Sequence, residues 1–560
     1  MSGPFLDGIG VQVLAGWTDD KINEVLGQGS NTIPYPELSV VYAPEGDHVT
    51  VTLETNYDLV TENEVVLGYT TDGTTPNETS TEFHSPMELY KNGVLTVRAF
   101  LALTADNLIK SVANSVNISG LKCQTPVINY DDSTYTITLS CATEGAVIHY
   151  TIDGSSVSAS SPVYSGAISI STGVTIQVLA VRDGIQNSDT VSQVCNVARV
   201  WGVMWDTSST STKLTRLTDA NDPNNLVTEI VTSEPNSVDG ASDATGSSPF
   251  DTDTPWAEMR KRNISGTTPG AWEDESGFSL STADVVVYLP KVWFLIKKVG
   301  AIWYYYIADN QMAGMLKHPG GGKYYGRYFT KSGYVSSTGG SYLGETLTNH
   351  RTNAMAKGTG WHAGSSPERA LVDLLYIIEY ADWNSQVVIG HGDTQYSSSC
   401  GGTDALQYHT GHGTDNSTQY RNIENLWGYY EWLDGILFQG GQAYICTDYT
   451  KFASSITSDY ITFGTKQTSP PQNSFITDFM YDEANSWLMF IANKGGGSDT
   501  TYVPDYAYIS TSSTVYAPCV GNGSRSSGSY GLFFIYVHDT PDGGSYASRL
   551  VFEEPDALAA

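Results

Sequence analysis

Residues 420–436 read YRNIENLWGYYEWLDGI, and this stretch decides how the larger part of the chain is read. Trp427, Tyr430 and Trp432 alternate with Leu426, Leu433 and Ile436, and Glu424, Glu431 and Asp434 are interleaved with them. Rings this dense form core, because each buries a large apolar area while its polar edge still needs a partner. Gly428 interrupts any helix or strand, so the stretch is expected to be a tight turn inside a packed domain.

Upstream of it lies the one long helix the sequence announces. Ser366-Pro367-Glu368 supplies an N-cap, a first-turn proline and an early acid. Ala370, Leu371, Leu374, Leu375, Ile378 and Tyr380 then recur at helical spacing to about residue 381. Short strands and long Gly/Ser loops surround this helix, so the segment 197–560 is expected to be an α+β domain that carries irregular surface loops.

Composition bounds the rest. The chain has 560 residues, enough for about three or four domains. Tyr (36) and Gly (55) dominate while charged residues make up only 16%, a β-rich and loop-rich profile. Acidic residues outnumber basic ones 60 to 28, a formal charge of -32, which disfavours nucleic acid and anionic membrane as partners. No apolar stretch is long enough to span a bilayer. Residues 1–10 show no signal-peptide pattern. Six cysteines (Cys123, Cys141, Cys195, Cys400, Cys446, Cys519) have no paired spacing and read as buried or incidental thiols.

Residues 1–35 hold a short helical pattern at 19–26 followed by a linker-like stretch, a segment suited equally to attachment and to a plain disordered lead-in or linker. From residue 36 the period becomes two. VTVTL (49–53), VVLGY (65–69) and LTVRAF (95–100) recur as YTITL (135–139), AVIHY (146–150) and VTIQVLAV (174–181). YTTDGTTP at 69–76 matches YTIDGSSV at 150–157, each with an Asp-Gly pair expected to form a tight hairpin. A repeat of about 80 residues built from short strands predicts two tandem β-sandwiches, at 36–119 and 120–196.

The YTxDGxxP core resembles the immunoglobulin-like module at the C-terminus of chitobiases and in bacterial surface proteins, which implies a spacer. The later landmarks SPFDTDTPW (248–256), LPKVWF (289–294), WYYYIAD (303–309), GTGWH (358–362) and IEYADWNSQVVIGHG (378–392), with the opening stretch, are similar to bacteriophage tail and receptor-binding proteins. The head of those proteins is a C-type-lectin-like domain of the type shared with formylglycine-generating enzymes. The fold class implied is mainly β with some α: tandem immunoglobulin-like sandwiches, then an α+β lectin-like domain.

Several chemistries are weighed on residues. The oxidase activity of formylglycine-generating enzymes needs two neighbouring cysteines for copper, and Cys519 stands alone. Glu234-Pro235-Asn236 spells a calcium-lectin tripeptide, but calcium takes six to eight oxygens and no partner motif follows. His391, His409 and His412, with Asp393 and Asp404, lie in a Gly-rich loop without fixed ligand spacing and read as surface residues. Glu424, Glu431 and Asp434 could serve glycoside cleavage only if two of them faced each other across a sugar. No cofactor and no enzymatic activity are expected.

Residues 495–549 are rich in Tyr, Ser, Gly and Asp, the composition of a binding surface in which Tyr gives contact area at low entropy cost. GLFFIYV (531–537) and SRLV (548–551) sit where the phage resemblance implies the receptor-binding end. Candidate receptor-binding residues are Tyr502, Tyr506, Tyr508, Tyr516, Ser524, Arg525, Ser527, Tyr530, Tyr536, His538 and Tyr546, expected on an exposed surface apart from Trp427 and Trp432. Alternation should turn Phe533 and Ile535 inward and Phe534 and Tyr536 to the other side. The expectation is a virion fibre or tail-tip protein, homotrimeric, held to other virion proteins by its N-terminal segment and binding a host-surface glycan or protein. The competing readings are a surface glycan hydrolase with accessory modules and a capsid-decorating head fibre.

Overall fold

The computed structural model describes residues 37–42, 46–53, 66–104, 107–132, 134–235, 248–392, 399–406, 409–412, 417–521 and 530–554. The helical pattern at 19–26, the linker-like stretch after it, and Asn236, Asp393, Ser524, Arg525 and Ser527 lie outside the described residues. The protein is mainly β, with 39% strand against 8% helix. It divides into two compact units, Met1–Val197 and Ala198–Ala560.

The first unit holds the two immunoglobulin-like repeats. In the first repeat Leu38–Tyr42, Val49–Leu53 and Met87–Leu89 form one antiparallel sheet. Thr81–Glu82, Val66–Thr70, Gly93–Thr104 and Asn107–Lys110 form the other, with Asn114–Ile118 also paired to Gly93–Thr104. The second repeat pairs Ile168–Ser169, Thr136–Ser140 and Val127–Asp131, and separately Val147–Thr151, Val174–Val181 and Val191–Cys195. Alternation decides what is buried: Val49, Val51, Leu95 and Val97 fill the first core, and Ile137, Leu139, Ile176 and Val178 the second.

The Asp-Gly pairs do not make the hairpins expected of them. Gly73 (φ +82°) and Gly154 (φ +77°) have the left-handed backbone, but their N–H groups donate across to Val94 O (3.0 Å) and Thr175 O (2.9 Å). Asp72 and Asp153 instead fold the chain locally, each accepting from the backbone N–H two residues on, at 3.0 Å. The strand before each pair lies antiparallel to Gly93–Thr104 or Val174–Val181, and in the first repeat Thr81–Glu82 pairs along its other edge.

The second unit is built round the helix Ser366–Tyr380, all fifteen residues of which are buried. The sequence announces one apolar face. Complete burial is possible because the charged residues find partners inside: Glu368 accepts from Lys323 Nζ at 2.7 Å, Arg369 Nε donates to Asp373 at 2.9 Å, and Glu379 accepts from Arg421 Nε and the Tyr420 hydroxyl at 3.0 Å each. The N-cap is Ser365, one residue earlier than the motif suggests, and Ala381 (φ +49°) ends the helix in the left-handed conformation. A second helix, Leu347–Met355, carries no apolar period and was not legible; Thr346 caps it by accepting from Asn349 N.

Residues 420–436 are core, as the ring density implies. Trp427 and Trp432 are fully buried, and their indole N–H groups donate to Gly390 O and Glu345 O, each at 2.9 Å. The turn at Gly428 (φ +106°) joins two segments of short strands. Tyr430 differs from the tryptophans: it is half-buried and opens onto a sheet face.

Candidate functional site

That sheet has six strands in the order Glu431–Trp432, Ala517–Val520, Ile535–Asp539, Val503–Ile509, Gln472–Phe479, Ala492–Gly495. Its two central strands run parallel, with Tyr508 opposite Tyr536. Alternation sends Ala507, Ile509, Ile535 and Val537 into the core and Tyr506, Tyr508, Tyr536 and His538 to the other face.

On that face ten rings form one continuous surface. Phe475 lies 4.3 Å from Tyr506, Tyr506 5.7 Å from Tyr530, and Tyr530 5.4 Å from Phe534. Phe534 and Tyr536 each lie 5.9 Å from Tyr430. Tyr508 is 5.4 Å from Tyr536 and 5.5 Å from His538, which stacks on Tyr516 at 6.0 Å with 6° between planes. Tyr546 packs 4.9 Å from Tyr430 and donates its hydroxyl to Asp539 at 2.6 Å. His538 is exposed, the tyrosines are half-buried and Phe534 is buried beneath them.

Of the candidates, Tyr506, Tyr508, Tyr516, Tyr530, Tyr536, His538 and Tyr546 therefore come together. Tyr502 does not: it packs partly against the main core, its N–H bonded to Thr210 O at 2.9 Å. The face is also not apart from Trp432, whose ring lies 5.0 Å from Tyr546. Backbone pairing causes the contact: Ala547 N donates to Tyr430 O at 3.1 Å and Trp432 N to Ala547 O at 2.8 Å, which sets Tyr546 beside the tryptophan. Phe533 does turn inward, 4.9 Å from Trp383, while Phe534 faces the tyrosines. Both precede the strand, so a turn and not pleating sets their directions.

This turn is held from below. Asp505 accepts from the N–H groups of Gly531 and Phe533, the latter at 2.9 Å, and Ser385 Oγ accepts from Leu532 N at 2.9 Å. Arg369 donates to Leu532 O and, at 3.1 Å, to Leu426 O, tying the central helix to this turn and to the segment before Gly428. Burial pushes the Asp505 carboxyl up to about 7 and that of Asp373 to about 6, although the backbone donors and Arg369 respectively oppose the shift. On the face, burial raises the Tyr536 hydroxyl, whereas hydrogen bonding from the Ser512 side chain lowers that of Tyr516. A small cavity beside Arg369, Asp373 and Phe533 measures about 20 Å³, space for one water.

The other candidates have internal roles. Glu424 accepts from Gly401 N (2.8 Å), Thr403 N (2.9 Å) and Thr403 Oγ1 (2.7 Å). Glu431 binds Arg549 at 3.2 Å and the Tyr325 hydroxyl at 3.0 Å, and Asp434 binds Arg351 through both oxygens at 2.8 Å. All three are 1% exposed and turned to these internal partners. Glu234 pairs with Arg216, and Asp404 with Arg327. His409 contacts Asn422, and His391 is exposed. Among the described residues no three His, Cys, Asp or Glu side chains are grouped to hold a metal, and no helix is long and apolar enough to cross a membrane. All six cysteines are free.

Sequence reasoning missed Phe475 as part of the face and Asp505, Ser385 and Arg369 as its supports. Phe475 was recoverable, since Ile476 beside it is buried and alternation turns Phe475 outward. The supports come from distant segments and left no local signal.

Comparison with known proteins concerns the first unit. Residues 129–192 match the chitobiase/beta-hexosaminidase C-terminal domain and residues 58–115 match the Fn3 associated domain. Both matches fit immunoglobulin-like repeats. No curated protein matches the chain. Among solved structures, domains 7, 8 and 9 of the S-layer protein SbsC match at 15% identity and a TM-score of 0.16. The match covers 28% of this chain and 57% of that one.

Proposed function

We propose that the chain is a non-enzymatic adhesion protein of a bacteriophage particle, a fibre or tail-tip component that binds a receptor on the host surface. In this reading the Ala198–Ala560 unit is a C-type-lectin-like head, the immunoglobulin-like repeats are a spacer, and the N-terminal segment holds other virion proteins. The observation that carries it is the continuous face of tyrosine, phenylalanine and histidine rings from Phe475 to Tyr516. Such rings offer flat apolar area for the C–H faces of a sugar or for a protein surface, and their hydroxyls supply hydrogen bonds. The strongly acidic chain argues for a neutral or cationic ligand. Homotrimerisation multiplies a modest single-site affinity when several receptors are engaged at once.

The test is a binding screen of the full chain against a panel of bacterial cells and an array of bacterial surface polysaccharides. Binding to a restricted set, without turnover of the bound glycan, is the expected result. Robust glycan cleavage, or no binding to any member, contradicts the reading.

A further inference from the structure

The two repeats meet through a constructed joint. Asp47, between the strands Leu38–Tyr42 and Val49–Leu53 of the first repeat, is only 4% exposed. Its carboxylate accepts from Thr143 Oγ1 at 2.9 Å and Gln124 Nε2 at 3.3 Å, both beyond the first repeat, and lies 2.8 Å from His48 Nδ1. Backbone bonds cross the same boundary. Lys122 N donates to Gly46 O at 3.0 Å, and Asn92 N to Gly184 O at 2.9 Å. The Asn92 side chain accepts from Leu121 N at 3.0 Å. The connecting segment is itself held by the second repeat, with Gln186 N bonded to Leu121 O and Cys123 N to Gln186 O, each at 2.9 Å.

Apolar contact reinforces the polar one. Leu121, from the connection, is fully buried in the core of the first repeat, and Ile185 of the second repeat packs against that same core. The Arg182 guanidinium lies 4.7 Å from the Tyr90 ring centroid, and that ring stacks with His48 at 5.1 Å. Domains joined by a solvated tether move independently by default. Here the four successive amides of residues 121–124 are bonded to one repeat or the other, the last of them from Gln124 N to Thr143 Oγ1 at 2.9 Å.

We infer that the two immunoglobulin-like repeats are one rigid stalk element, in which the surface around Asp47 and Asn92 is a docking face for the second repeat. The orientation between them is fixed, and loss of the joint frees the connection without unfolding either sandwich.

Hydrogen exchange of the full chain, read by mass spectrometry, tests this. Peptides covering residues 119–126 should exchange at least about tenfold more slowly than an unstructured segment. Thr143→Val, which removes one hydroxyl and leaves the first repeat untouched, should speed exchange at 119–126 and 182–188 severalfold. Asp47→Ala should do so by about tenfold, with the strand Val174–Val181 unchanged. Unprotected exchange at 119–126 in the unaltered chain overturns the inference. So does unchanged exchange in Thr143→Val, which decides the matter alone if Asp47→Ala unfolds the first repeat.

Discussion

Buried charges of the second unit do structural work, and two residues show its sign. Arg549 is completely buried, donating to the carbonyls of Gly326, Arg327, Glu424 and Asn425 while facing Glu431. Glu431→Gln leaves that guanidinium without its counter-charge, a loss of about 3 kcal/mol for a broken buried pair. Thermal melting should show a clear destabilisation; an unchanged melting temperature would assign Glu431 some role other than anchoring. His362 is buried, stacked on Tyr449 at 4.6 Å, and burial depresses its pKa to about 4. His318 is likewise held down to about 3. Both are neutral in the fold and take up a proton on unfolding below 6.5, the ordinary histidine value, so their contribution is complete above 6.5 and is lost as pH falls through about 4 for His362 and about 3 for His318. His362→Phe keeps the ring stack and removes the proton uptake. Its melting temperature relative to the unaltered protein should rise as pH is lowered from 6.5, and a constant difference would contradict the assignment.

At the scale of elements, what was legible is what local chemistry dictates. The period-two strands of both repeats were readable because their alternation is strict, and the Ser366–Tyr380 helix because proline, acid and apolar spacing agree. The Asp-Gly turns were misread because a left-handed glycine serves an open loop as well as a hairpin. The aromatic face was half legible: tyrosine composition named most of its members, but their contiguity depends on a parallel pairing of Tyr508 with Tyr536 that no local pattern reveals. Gly521 marks how tightly the face is keyed to the core. At φ +73° its added Cβ would come within 2.5 Å of Leu426 O and 3.1 Å of Trp427 Cα. Gly521→Ala should therefore cost about 2 kcal/mol or more from backbone strain and overlap together. Denaturant unfolding of the full chain reads it, and a neutral substitution would mean that this turn is looser than the contacts require.

Over the whole molecule, the proposed function gives display to one unit and contact to the other. A homotrimer should sediment as three copies of the 60.5 kDa chain, and a monomer at micromolar concentration would remove the avidity argument. The central claim, that the ring face is the contact surface, is tested most directly by equilibrium binding of the full chain to the cells or polysaccharide identified in the screen. Tyr506→Ala and Tyr530→Ala each remove a half-buried ring from the face, and Tyr304→Ala removes one from another sheet. With melting temperatures checked for each, the account predicts a loss of about 2 kcal/mol, or roughly thirtyfold in Kd, for the two face variants and no change for Tyr304→Ala. Unchanged affinity in the face variants would contradict it.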